Sequence, residues 1–336
     1  MTVIVEDSIK EASASSSSTA RVVWRLIGQY GTIAMLGLLI VTMTALEPSV
    51  FATSDNLVNV LNQSAIPAMI ALGLTFPLVT GDFDLSIGNT ASLSGVVACT
   101  LMRDVDMSIW MAISAAIMVG LVIGLVNGVV VTVLNVNSLV ATLGVGTMAI
   151  GVNYKIAGGQ PVGLSDSESF LEISLGTLLG IPYPVYIMIG FTAVLWLLLN
   201  RTVLGQSMQA VGGNPVAARL SGVRVERVRL VSFVICGAFA ALTGVLLASR
   251  TGSAAVSGGD GYLLSAFAAA FFGSAVLRDG QFHIIGTLVG VITVAIGFNA
   301  IALTGMATYW QYLFQGLLLV LGVGVGSLAR RRTAAT

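Results

Sequence analysis

From residue 26 onward the chain is a succession of apolar stretches, each about 16 to 26 residues long and nearly free of charge, separated by polar or glycine-containing breaks. A helix needs about 20 mostly apolar residues to cross the hydrocarbon core of a bilayer. Ten segments meet or approach that length, at about 26–46, 57–80, 86–102, 109–134, 138–157, 184–200, 229–249, 262–277, 284–304 and 310–328. The predicted fold class is therefore an all-α polytopic membrane protein with about ten transmembrane helices. The third, sixth and eighth segments are short and rich in small residues or flanked by Gly and Pro, which suits partial or tilted spans. Composition agrees: 56% of the residues are hydrophobic and only 9% charged, against about 25% charged in a soluble domain. Fifteen basic and fifteen acidic residues cancel, so no net field recruits nucleic acid.

Three regions follow from this pattern. Residues 1–23, with Ser13 and the run Ser15 to Ser18, read as a disordered cytoplasmic tail; 24–328 form the membrane domain; 329–336 form a basic cytoplasmic tail. Lys and Arg are retained on the cytoplasmic side of a membrane. With ten spans and the amino terminus inside, that side collects Lys10, Arg21, Arg25, Arg201, Arg219, Arg224, Arg227, Arg229, Arg278 and Arg330 to Arg332, against Arg103, Lys155 and Arg250 outside. Both termini are thus predicted cytoplasmic. Cys99 and Cys236 sit inside apolar runs and His283 is the single histidine. No disulfide framework or metal site is expected.

Small residues spaced four apart mark close helix contacts in lipid. Gly120, Gly124 and Gly128 form one such ridge, Ala240, Gly244 and Ala248 another, Gly286 and Gly290 a third, and Gly88, Ser92, Gly95 and Cys99 a fourth. Packing within the chain is the expected use of each.

Polar residues inside apolar sequence are the natural candidates for function. Asn59, Asn62 and Gln63 fall at i, i+3 and i+4 on the second segment, which starts after the capping residues Ser54 and Asp55 and is interrupted by Pro67. Asp82 and Asp84 lie between the second and third segments, where lipid exposure would be expensive. Amides and carboxylates of this kind can hydrogen-bond the hydroxyls of a passing solute. Equally, Asp84 or Ser86 caps the third helix while Asp82 meets water in a loop. Both readings stay open, as does the depth of the two acids. A proton relay would need further ionisable groups in other spans.

Between the sixth and seventh segments, Asn214 is placed as an N-cap, Pro215 as the first helical residue and Gly222 as the residue past the end. The spacing predicts a two-turn cytoplasmic helix. So short a helix is marginal alone in water, so it packs either on the chain's own inner surface or on a partner.

The stretch Gly81-Asp82-Phe83-Asp84-Leu85-Ser86-Ile87-Gly88 resembles the signature of the permease subunits of ribose-type ABC sugar importers, within the branched-chain and ribose permease superfamily. The resemblance continues through Asn127-Gly128, Ala141 to Gly144, Gly212-Gly213-Asn214, Ala217 to Gly222, Gly261-Tyr262, Gly286-Thr287 and Tyr309-Trp310-Gln311, covering roughly residues 50–326. It implies a non-catalytic translocation subunit in the bacterial inner membrane. The partners it implies are a cytoplasmic ABC ATPase, a periplasmic sugar-binding protein and a second permease copy or paralogue. It implies that the segment at about 212–222, with Asn214, Pro215, Ala217, Ala218, Arg219 and Gly222, couples to the ATPase. The chain has no phosphate-binding Gly-rich loop of its own, so ATP and Mg belong to that partner and no cofactor is expected here. Departures from the pattern are Val216 before Ala217-Ala218, Leu263 and Ser265 after Tyr262, and Asp279 and Phe282 in the turn before Gly286. Arg278, Asp279 and His283 read as a solvated turn. The alternative function is an ion-coupled secondary transporter or facilitator of small polar solutes; an intramembrane enzyme lacks a catalytic constellation.

Overall fold

A computed structural model describes residues 34–164, 168–274 and 280–334. The amino-terminal tail, the start of the first expected span, and Arg278 and Asp279 lie outside the described residues. The helices are α1 (Ala34–Leu46), α2 (Ser54–Thr80), α3 (Ile87–Asp104), α4 (Ile109–Thr132), α5 (Ser138–Ala157), α6 (Glu168–Leu175), α7 (Tyr183–Arg201), α8 (Val203–Gly213), α9 (Pro215–Leu220), α10 (Val225–Thr251), α11 (Asp260–Ser274), α12 (Ile284–Leu303) and α13 (Tyr309–Ala334). Four two-residue strands make two small antiparallel pairs. β1 (Val162–Gly163) pairs with β4 (Ser253–Ala254), and β2 (Thr177–Leu178) with β3 (Ile181–Pro182).

Six of the described helices, α2, α4, α5, α7, α10 and α12, are long and apolar enough to cross a membrane. The other four expected positions carry α1, α3, α11 and α13, and two of these are shortened for a visible reason. An irregular stretch after Gly81 delays the start of α3, whose sequence is further diluted by Asn89, Thr90, Ser92, Ser94, Thr100, Arg103 and Asp104. Consecutive turns at 256–259 postpone α11 to Asp260. At the far end, α13 continues to Ala334, into the stretch expected as a basic tail.

The long α10 is the hub and packs on α4, α2 and α3, while α11 and α12 pair beside α2. Backbone approach sets these contacts. A Cβ at Gly124 would lie 2.9 Å from the Cα of Val234, and one at Gly95 would lie 2.9 Å from the carbonyl oxygen of Gly244. A Cβ at Gly244 would overlap Ala91, and one at Gly290 would overlap Ala269. All four small-residue ridges are therefore spent on packing within the chain. Cys99 and Cys236 are buried free thiols, as their apolar settings predict.

The helix boundaries follow local chemistry. The N-cap of α2 is Thr53, one residue before the expected caps, and its hydroxyl accepts from the Asn56 amide at 3.2 Å. α2 carries Pro67 and Pro77 internally and stops at Gly81, whose φ of 87° suits only glycine readily.

Candidate functional site

Residues 82–86 form irregular backbone deep inside the helix bundle. Irregular backbone within a membrane protein is tolerated where it is buried in protein or lines water, and here the amides of Asp82, Phe83, Leu85 and Ser86 find protein acceptors. The Asp82 N–H donates to the Pro77 carbonyl at 2.9 Å. The Phe83 and Leu85 amides donate to the Ser138 hydroxyl at 3.3 Å and the Thr142 hydroxyl at 3.0 Å, both on α5. The Ser86 amide and hydroxyl donate to Asp84 Oδ1 at 2.9 and 2.6 Å.

The two acids have different partners. Asp82 is 3% exposed and receives both arms of one guanidinium, Arg229 Nε to Oδ2 at 2.7 Å and Arg229 Nη2 to Oδ1 at 2.6 Å. Its expected meeting with water in a loop is therefore corrected: a fork-shaped cation on the first turns of α10 replaces the water. Asp84 is 1% exposed and sits among neutral donors, with Asn127 Nδ2 at 3.5 Å from each oxygen and 2.8 Å from the Ser86 hydroxyl. The Cys236 side chain of α10 lies beside it. Cys236 lies about 17 Å along α10 from its start, which sets Asp84 at mid-height of that helix. Ser86 is the N-cap of α3 but makes no side-chain cap bond; Asp84 instead closes a local turn onto Ser86.

Phe83, between the acids, stacks on Phe267 and Phe271 of α11 with ring centroids 6.2 and 6.3 Å away. Phe282 meets Phe271 edge-on at 5.1 Å. These four rings fill the space between residues 82–86 and the end of α11. His283, expected in a solvated turn, is 6% exposed and its Nδ1 lies 3.2 Å from the Gln281 carbonyl. The contact of Gly286 with Gly273 draws that turn into the bundle.

Farther along the same helices, a cleft of about 60 Å³ is lined by Gln63 and Pro67 of α2, Ser265 and Ala269 of α11, and Val291, Val294, Ala295 and Phe298 of α12. On α2, Gln63 Nε2 donates to Asn59 Oδ1 one turn earlier at 3.1 Å. Asn59 is exposed and Asn62 and Gln63 are half-buried; the Asn62 carbonyl oxygen is buried with no partner. Ser265 accepts from Gln315 of α13 at 3.0 Å. Asn56 and Asn299 exchange amide bonds of 3.1 and 2.8 Å nearby. Asn59, Asn62 and Gln63 thus share one region, and Asp82 and Asp84 another. A larger cavity of about 230 Å³ lies between α3, α10 and the β4 turn, lined mostly by Gly, Ala and Ser.

The short helix forms where the sequence places it. The Asn214 side chain accepts from the Val216 and Ala217 amides, each at 3.0 Å. The Gly222 amide donates to the Arg219 carbonyl and the Val223 amide to the Ala218 carbonyl, both at 3.0 Å, a Schellman ending with Gly222 at φ 86°. Pro215, Ala217 and Arg219 are exposed and Ala218 is buried; Val216 and Leu220 are 65% and 85% exposed. Arg219 pairs with Glu226. Sequence reasoning missed the preceding helix α8, which buries Gly205, Met208 and Val211. It also missed that Gly212 presses on the Val79 carbonyl at the end of α2. Ser138 and Gln315 were not singled out, and Arg229, Asn127, Thr142 and Ser265 entered only as a loop cation, as parts of the matched motifs or as a departure from them, although Asn127 and Gln315 carried a signal as amides within apolar helices.

Among the described residues, no group of three His, Cys, Asp or Glu is placed to hold a metal ion. Residues 56–323 match the family described as branched-chain amino acid transport system / permease component. The chain is 33% identical over 301 residues to the ribose import permease protein of Haemophilus influenzae, covering 89% of this chain and 92% of that one. It is 37% identical over 290 residues to the ribose import permease protein of Bacillus subtilis, covering 86% and 89% of the two chains. The L-arabinose transport system permease protein of Escherichia coli is 33% identical over 299 residues, covering 89% and 90%. No solved structure matches the chain.

Proposed function

The chain belongs to the branched-chain amino acid transport system / permease component family, and on that footing we propose that it is the membrane-spanning permease subunit of an ABC importer for a sugar or related polyhydroxylated solute. The observation that carries this reading is the similarity to ribose and arabinose permeases along nearly the whole of both chains. In this reading α1, α3, α11 and α13 join the six long helices to give ten spans, both termini face the cytoplasm of the bacterial inner membrane, and α8 and α9 lie on that side. A periplasmic binding protein delivers the solute, a second permease copy or paralogue completes the path, and a cytoplasmic ATPase hydrolyses ATP with Mg. This chain contributes the path and the coupling element and no catalytic group.

The mechanism is alternating access. Asn59, Asn62 and Gln63 line the path with amides, and Asp82 and Asp84 support it by fixing residues 82–86. The Phe83 cluster shuts the cytoplasmic end until ATP-driven closure of the partner moves α9, whose exposed Val216, Arg219 and Leu220 supply the contact. The close approach of Gly212 to Val79 offers a rigid connection from this element to α2, because contacts without side-chain slack transmit displacement. Reconstitution tests the whole reading: with the cognate ATPase and binding protein in sealed vesicles, ribose or arabinose uptake requires ATP and survives ionophores. Uptake by the permease alone, abolished by ionophores, would establish the ion-coupled alternative instead.

A further inference from the structure

Most of the exposed surface on the long helices is what lipid demands, for example Met118, Val122, Leu125 and Val129 on α4 and Ile189, Val194 and Leu197 on α7. The region around the cleft is different. Asn59 is exposed and Gln63 and Ser265 are half-buried, near the starts of two helices, after the polar residues Ser54 to Asn56 and Asp260 and ahead of long apolar stretches. Polar side chains facing hydrocarbon are unfavourable, so an intramembrane surface of this kind faces water, a solute or protein.

Its hydrogen-bonding state points to a solute. Gln63 and Gln315 donate to Asn59 and Ser265, and no donor among the described residues reaches either glutamine's Oε1. The Ser265 hydroxyl donates to the Gly261 carbonyl at 3.1 Å while accepting from Gln315, which holds the Gln315 amide beside the cleft. The larger cavity near β4 contrasts with this. Its Ser92 and Thr251 hydroxyls are already bonded to backbone groups, so it presents little for a solute to bind. The cleft combines the Gln63 amide and the Ser265 hydroxyl with apolar walls from Val291, Val294 and the ring of Phe298. That mixture suits a sugar, whose hydroxyl edges need hydrogen bonds and whose C–H faces pack on apolar or aromatic surface.

We propose that Gln63, Ser265 and Gln315 form the solute-discriminating station of this chain, taking a polyhydroxylated solute by its hydroxyls in the half of the membrane nearer the starts of α2, α11 and α13. The inference rests on the sugar-permease reading and deepens it. A cleft of about 60 Å³ is below the several hundred Å³ usual for a closed small-molecule site. The solute is therefore held between this cleft and the equivalent face of the second permease.

Two measurements on the full chain, assembled with its ATPase and binding protein, test it. First, Gln315→Leu, Gln63→Leu and Ser265→Ala change the ratio of ribose to arabinose uptake about 3- to 10-fold, the range of one neutral hydrogen bond, and Ser265→Thr restores it. An unchanged ratio in all three variants overturns the station. Second, Ser265→Cys reacts with a membrane-impermeant thiol reagent, and excess ribose or arabinose with binding protein slows the reaction. Cys99 and Cys236 stay silent because they are buried. Labelling only by a lipid-partitioning reagent overturns the proposal even if no sugar is transported, whereas aqueous labelling without either sugar's uptake would uphold the water-lined station and discard the sugar reading.

Discussion

The ion pair between Asp82 and Arg229 couples the irregular stretch after α2 to the start of α10 across 147 residues, and its removal has a calculable consequence. Breaking a fully buried pair by deleting one partner is destabilising by about 3–5 kcal/mol, because the survivor is left charged and unpaired. The carboxylate meets that condition, with its side chain 4% exposed, whereas the Arg229 side chain is 28% exposed. Arg229→Gln should therefore lose about 3–5 kcal/mol, and Asp82→Asn about 2–3 kcal/mol because water reaches part of the stranded guanidinium. The double variant strands no charge and should lose at least about 2 kcal/mol less than the two singles together. Reversible unfolding in mixed micelles measures all four proteins. Losses that add to within about 0.5 kcal/mol would refute the argument, since they would mean that the two residues do not interact. Uptake by a stable double variant then separates roles: retained transport makes the pair a brace, and lost transport gives Asp82 a part in the path.

Four other outcomes follow from particular contacts. Gly244→Ala forces a Cβ into Ala91 and should lower stability by about 2–3 kcal/mol. Gly144→Ala, with open space at its Cβ, should be neutral or stabilising by up to about 1 kcal/mol; melting in detergent compares the two. Asn214→Ala removes the cap of α9 for about 1 kcal/mol, and Gly222→Ala strains the αL ending by about 1–2 kcal/mol; both should reduce the ATPase that co-purifies and raise amide exchange over 215–221. Arg219→Glu loses an exposed pair, under about 1 kcal/mol, so normal melting with ATP hydrolysis uncoupled from uptake is expected, and unchanged uptake would remove α9 from the coupling route. Phe83→Ala opens the aromatic cluster and should raise ATP-independent sugar leak from loaded vesicles; a tight vesicle would show that the closure lies elsewhere.

What the sequence determined alone is what depends on near neighbours. Apolar runs of helical length, six of which form helices long enough and apolar enough to cross a membrane, and the Asn214 to Gly222 cap signals, which form the short α9, both act within a few residues. A helix ridge likewise announces that something approaches closely, although not what. Tertiary structure alone decided the partners of the acids. Arg229 looked like one of five cations in a loop until folding set it against Asp82, and Asp84 proved to lie midway along α10 because the irregular residues 82–86 are folded into the bundle. Neither fact has a local signature. Hydrophobic periodicity records how much of a segment avoids water, but the partner of a buried polar group is fixed by which distant helix supplies the missing hydrogen bond.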